Sequence, residues 1–295
     1  MTRVVRDQET RRPVAKNASS GSKEPVVRLG LVSLVGAGPG DPELLTCRAA
    51  RRLAEADLVL HDGLVTEEVL ALAVTAERVG VSRRPGAKVV EQAVVTQLMI
   101  DSARAGRRVV RLKAGDPFVL GRGGEEALAL AEAGVPFEIV PGLTSAVVAP
   151  AVAGIPVTHR GVASAFVVVS GHSEDAYAPI LERLPAGTLT VVVLMGFAER
   201  GRIAHVMMEH GWPGDTPAAV VANASQDHQR IWTGPLAAMG EALAGAPAGD
   251  AHTIIVGEVV TVGAVIARGL SRSASRSEYE PGSEDAGPGP AVIRV

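Results

Sequence analysis

The feature that most constrains this chain is a rhythm: short apolar runs, each closed by a glycine- and proline-rich turn and followed by a segment of helical periodicity. VRLGLVSLVGAGPGD opens the series, with Asp41 placed to cap the next segment and Pro42 at its first turn. RRVVRLKAGDPF and VPFEIVPG end in the same way. Alternating β and α elements with short links predict a mainly parallel sheet covered on both faces. A second series, AFVVVSGH, TLTVVVLMGFAERG, TPAAVVANASQ and HTIIVGEVV, adds four strands, in places with hairpin-like spacing. The expected organisation is two α/β domains, 28–158 and 159–269, with the boundary between 143 and 160. The flanks, 1–27 and 270–295, have too little apolar surface to offset chain entropy and are predicted to be disordered.

Composition supports covered strands. The chain is 47% hydrophobic but only 3% aromatic, so its core must be built from Val, Leu, Ala and Ile. A net charge of -3 gives no general case for nucleic acid as partner. No apolar run reaches the ~18 to 20 residues that cross a bilayer, and the N-terminus lacks the apolar stretch of a secretory signal. The single cysteine, Cys47, excludes an internal disulfide and fits a reducing cytoplasm; in its apolar run it is expected to be a small buried residue. No Cys/His cluster suggests a metal.

The glycine turns carry the chemistry. GAGPGD, residues 36–41, departs from the dinucleotide fingerprint G-x-G-x-x-G, because Pro39 removes one N–H and Asp41 stands where the third glycine belongs. This disfavours a nicotinamide oxidoreductase, and taken alone the segment is equally a tight βα turn. KAGDPFVLGRGGEE and VPGLTSA close two more strands, and open parallel sheets bind ligands outside those strand ends. Asp116 has two readings, a ligand acceptor or a cap for the next segment; Thr144 and Ser145 are equally N-cap residues. No Walker lysine follows any of the turns, which disfavours a nucleoside triphosphate.

In order, GAGPGD, VLHDGLV, RLKAGDPFVLGRGGEE, VPGLTSA, GIPVTHRG, a late MG and GEVV resemble the uroporphyrinogen-III C-methyltransferases, over roughly residues 30–262. The resemblance implies the two-domain α/β tetrapyrrole methylase fold, a class III methyltransferase, with S-adenosylmethionine in the interdomain cleft. It implies cofactor contacts at Pro39, Ala114, Gly115, Asp116, Val119, Thr144, Ser145, Met195 and Ala224. It also implies a homodimer, and methylation of uroporphyrinogen III at C-2 and C-7. The products would be precorrin-2, for sirohaem or cobalamin synthesis, and S-adenosylhomocysteine. The runners-up are a same-fold methyltransferase acting on a later corrin precursor and a catalytically weakened S-adenosylmethionine-binding homologue. The dehydrogenase/ferrochelatase region of fused sirohaem synthases is not expected here.

By the same resemblance Asp62 takes the place of a proton-accepting carboxylate, and Arg83 stands where the proton-donating lysine is usual. Arginine is effectively always protonated, so Arg83 is expected to act as a charge clamp. Ala114 for Gly, Leu120 for Phe, Thr96 for Asn and His252 for Pro are further departures. A tetrapyrrole bearing eight carboxylates needs a basic pocket. Arg84, Lys113, Arg122, His159 and Arg160 sit in predicted loops and are the expected substrate-binding residues.

Overall fold

The computed structural model describes residues 29–81, 91–247 and 249–274. The first half is a five-stranded, all-parallel sheet of β1 (Val32–Gly36), β2 (Leu58–His61), β3 (Glu77–Gly80), β4 (Val109–Lys113) and β5 (Phe137–Val140), in the order β3-β2-β4-β1-β5. Helices α1 (Cys47–Glu55), α2 (Glu67–Leu70), α3 (Gln92–Arg104) and α4 (Gly123–Glu132) make the crossovers. Successive side chains of a strand face opposite sides. Val35, Val59, Val110 and Leu112 therefore meet Leu53 and Val69 on one face, while Leu34, Leu58, Leu60 and Val109 meet Met99 and Leu130 on the other.

The second half comprises β6 (Ala165–Ser170), α6 (Glu174–Leu181), β7 (Leu189–Leu194), α7 (Arg200–Glu209), β8 (Pro217–Ala222), β9 (Arg230–Pro235), β10 (His252–Val256) and α8 (Val259–Ala274). Its sheet runs β6-β7-β10-β8-β9; only β6 and β7 are parallel, and β8–β9 is a hairpin. One face packs on α6 and α7 around Tyr177, Leu181, Met207 and Trp212, and the other buries Ala149, Ile155 and Val259. Among the described residues no helix is long and apolar enough to cross a membrane.

Four features depart from the sequence expectations. The hairpin strand β9, RIWTGP, was not anticipated, because it lies at an edge with exposed alternate residues and no apolar run. The helix α5 (Ser145–Val152), placed with the first domain by a division at 158, packs on β7 and β10 of the second sheet. Helix α8 continues past 269 to Ala274. Cys47 is exposed rather than buried: Thr46 caps α1 and leaves Cys47 in its first turn, on the solvent side.

Candidate active site

Three turns meet at the carboxyl edge of the first sheet because their glycines have no Cβ. A Cβ on Gly142 would lie 2.2 Å from the Gly115 carbonyl oxygen and 2.6 Å from the Gly36 Cα. Gly38 and Gly115 exchange backbone hydrogen bonds of 3.2 and 2.9 Å. The Asp116 carboxylate fastens two of the turns, accepting from the backbone N–H of Phe118 (2.8 Å) and of Gly142 (3.0 Å). Its carboxylate is therefore engaged as a turn cap. Thr144 likewise caps α5, accepting from the Ala146 N–H at 3.3 Å.

The GAGPGD turn also touches the second half. The Gln226 amide donates to the Pro39 carbonyl (3.4 Å), and the Asp41 N–H to the Ser225 hydroxyl (3.3 Å). From within the first half, the Thr66 hydroxyl holds the Gly40 carbonyl at 2.8 Å.

A cavity of about 620 Å³ opens between the halves, a size suited to a small-molecule ligand. The first half contributes Asp62, Ala114, Val119, Leu120 and Ser145, and the second Met195, Phe197, Arg200, Asp250 and His252. A smaller cavity of about 460 Å³ adjoins it, lined by Thr66, Asn223 and Gln226, and shares Leu64, Asp250 and Ala251 with the first. Leu120, Met195 and Asn223, which line these spaces, hold left-handed backbone with φ of 54, 58 and 50°. Non-glycine residues in that region cost about 1–3 kcal/mol each and cluster at ligand sites.

Of the residues predicted to hold cofactor, Ala114, Val119, Ser145 and Met195 line the larger cavity. Pro39, Gly115, Asp116, Thr144 and Ala224 build the turns beside it without lining it. Asp62 lines it; Arg83 and Arg84 lie outside the described residues. The expected basic substrate pocket is not assembled from the remaining four. Arg122 is exposed and paired with Glu125 at 2.7 Å. His159 and Arg160 are exposed in a tight turn away from the cavity lining. Lys113 requires a correction: it is the last residue of β4, not a loop residue, and its side chain is only 2% exposed.

The reason lies in the pleat of β4. Val109, Arg111 and Lys113 share the face toward α4, and α4 answers with Glu126, whose side chain is fully buried. Glu126 accepts from Arg111 Nε at 2.9 Å and from Gln92 Nε2 at 2.7 Å, and pairs with Lys113 Nζ at 3.0 Å. Arg111 then reaches across to donate from Nη2 to Asp62 Oδ1 at 2.5 Å. Burial alone would lower the affinity of Arg111 for its proton, but the Asp62 and Glu126 carboxylates outweigh it and raise the pKa. For Lys113 the balance goes the other way: burial first, then the neighbouring Arg111 charge, push its pKa down. Asp62 is thus the cavity-facing end of a buried chain of charges.

The opposite wall holds residues for which no chemical role is legible in the sequence. The imidazole of His252 stacks on Phe197, with ring centroids 3.6 Å apart and planes within 6°. The Arg200 guanidinium carbon lies 4.3 Å from the same ring's centroid. Burial, foremost, lowers the pKa of His252 and so favours the neutral imidazole. The sequence signal is weak: Phe197 and Arg200 follow the MG of a strand end, and His252 stands out only as a departure from the usual Pro.

The family model of the Tetrapyrrole (Corrin/Porphyrin) Methylases matches residues 31–240. The chain belongs to this family. Among its relatives, a siroheme synthase of Chromobacterium violaceum is 46% identical over 235 residues, which is 79% of this chain and 50% of that protein. The chain thus spans about half the length of the curated relatives it matches. A solved tetrapyrrole methylase, uroporphyrin-III C-methyl transferase from Thermus thermophilus complexed with S-adenyl homocysteine, is 43% identical with a TM-score of 0.67, covering 79% of this chain and 100% of that one. A cobalt precorrin-4 methyltransferase, a cobalamin biosynthetic enzyme, shares the methylase fold at 25% identity and a TM-score of 0.68, covering 78% of this chain and 95% of that one. The two-sheet α/β architecture is the one the motif order implied.

Proposed function

We propose that the chain is an S-adenosylmethionine-dependent uroporphyrinogen-III C-methyltransferase, methylating C-2 and C-7 to give precorrin-2 for sirohaem or cobalamin synthesis. The observation that carries this reading is the 43% identity to the Thermus thermophilus enzyme over its entire length, against 25% to the precorrin-4 enzyme.

The larger cavity suits the methyl donor in volume, in its small apolar lining at Ala114, Val119 and Met195, and in the polar groups of Ser145 and Asp62 among them. Bound there, the donor supplies an electrophilic methyl group on a sulfonium to an electron-rich pyrrole carbon. The chain's task is alignment and the replacement of water by fixed dipoles. The close approach of Gly36, Gly115 and Gly142 brings the three turns together beside the cavity. After methyl transfer the macrocycle must lose a proton, and Asp62, which lines the cavity and is held through Oδ1 by Arg111, is the carboxylate proposed to accept it. Arg83, Arg84, Arg122, His159 and Arg160 remain the basic groups proposed to meet substrate carboxylates. Action as a cytoplasmic homodimer completes the reading.

Incubating the purified chain with uroporphyrinogen III and S-adenosylmethionine tests it. A fluorescent dimethylated product is expected after oxidation, and its absence sinks the reading.

A further inference from the structure

We propose that Arg200 is a carboxylate-binding residue of the larger cavity, held on the Phe197–His252 stack to receive an anionic group of a ligand. The inference rests on the methyltransferase reading, because both the methyl donor and the tetrapyrrole carry carboxylates.

The charges lining the cavity are unbalanced. Asp62 is paired with Arg111 at 2.5 Å and Asp250 with Arg230 at 2.5 Å. Arg200 has no carboxylate partner among the described residues; its Nη1 donates to the Phe197 carbonyl at 2.9 Å, and its buried Nε has no acceptor. A buried guanidinium N–H without a partner leaves a desolvation penalty unrepaid in the ligand-free protein. Position adds to that penalty. Arg200 is the first residue of the ten-residue helix α7, where the helix dipole disfavours a cation and favours an anion. The guanidinium, which lines the cavity, is therefore left to a ligand carboxylate.

The guanidinium is also pre-oriented. It lies over Phe197, whose ring is stacked with His252, and this platform restricts the freedom an unsupported arginine would lose on binding. A planar fork fixed in this way matches the geometry of a carboxylate better than an ammonium does.

Calorimetric titration of the full chain tests the assignment with three probes: S-adenosylhomocysteine, methylthioadenosine (a related nucleoside without a carboxylate) and uroporphyrin III (a stable octacarboxylate). Arg200→Met keeps the aliphatic packing on Phe197 and removes the charge. It is expected to weaken either S-adenosylhomocysteine or uroporphyrin by about tenfold or more, and to leave methylthioadenosine within about twofold. Loss confined to S-adenosylhomocysteine assigns the carboxylate to the methyl donor; loss confined to uroporphyrin assigns it to the tetrapyrrole. Arg200→Lys is expected to recover part of the loss, and Arg200→Gln serves the same comparison if the methionine variant folds poorly. Wild-type affinity for both carboxylate ligands in the neutral variants overturns the proposal while the functional reading stands. A wild-type chain that binds neither ligand removes the functional reading and the proposal together.

Discussion

The two sheets bury different things. Among the described residues, every buried charged side chain belongs to the first half: Arg111, Lys113 and Glu126. The second half buries Trp212, Tyr177, Leu181 and aliphatic side chains, with only uncharged polar groups among them. Apolar burial stabilises by about 25 cal/mol per Å² wherever it occurs. A buried ion network does not, since desolvation offsets the attraction, and apolar replacement of similar volume is often neutral or favourable. The charges of the first sheet are therefore explained by what they do at their exposed end, which is to hold Asp62 at the cavity. The second sheet contributes a stable wall, and its charged contacts with the cavity, Arg200 at a helix end and Asp250 before β10, lie outside its core.

The sharpest break of this comparison is Asp62→Ala. Turnover is expected to fall by a factor on the order of 10² to 10⁴, the usual worth of a general base, while S-adenosylhomocysteine binding by calorimetry stays within a few-fold. Retained turnover would detach the buried charges from catalysis. Next in size is Glu126→Gln, which leaves Arg111 and Lys113 buried without their shared carboxylate. Urea denaturation should register a loss of about 3–5 kcal/mol. The combined replacement Arg111→Met, Lys113→Met, Glu126→Leu is expected to restore stability to within about 1 kcal/mol of the native chain or above it, yet to leave turnover impaired. If the triple variant is as unstable as the single one, the network is structural and the contrast between the sheets fails.

What the sequence disclosed followed from local chemistry. The turns after β1, β4 and β5 were legible because glycine and proline act on their own backbone, and Asp62 was legible as a carboxylate at a strand end. A lysine beside Ala-Gly-Asp-Pro looks like loop, and only Glu126, thirteen positions later in the next helix, explains its burial. The better signal was Arg111 and Lys113 two residues apart in an otherwise apolar strand, which places both on one face. Arg200 and Phe197 carried no such pattern: their meeting with His252 depends on β10 returning between β7 and β8, a pairing that no local spacing encodes.

A purely apolar truncation in the second sheet supplies the converse test. Leu181→Ala, in the core under α6, is expected to cost about 2–5 kcal/mol in urea denaturation, with turnover per folded molecule unchanged. A fall in that specific activity would mean that the second core tunes the site as well as supporting it.

The smallest expected effect separates charge at one edge of the first sheet from charge at the other. Asp57, at the amino edge before β2, accepts from the Arg108 guanidinium at 2.8 Å and from the Arg108 backbone N–H at 2.8 Å. Those hydrogen bonds, the side-chain one foremost, lower its pKa from 3.8 to about 2. A carboxyl depressed in the folded state contributes stability that is complete above its unfolded pKa and is lost as pH falls through the folded one. The contribution of Asp57 should therefore disappear between pH 3.8 and about 2. Its side chain is 39% exposed, so solvent screening keeps the effect modest. In Asp57→Asn the acid limb of a stability–pH curve should flatten across that window, with turnover at neutral pH unchanged. Altered turnover would show that the sheet transmits charge along its strands from edge to edge; an unaltered acid limb would show that the Arg108 pair contributes nothing to folding.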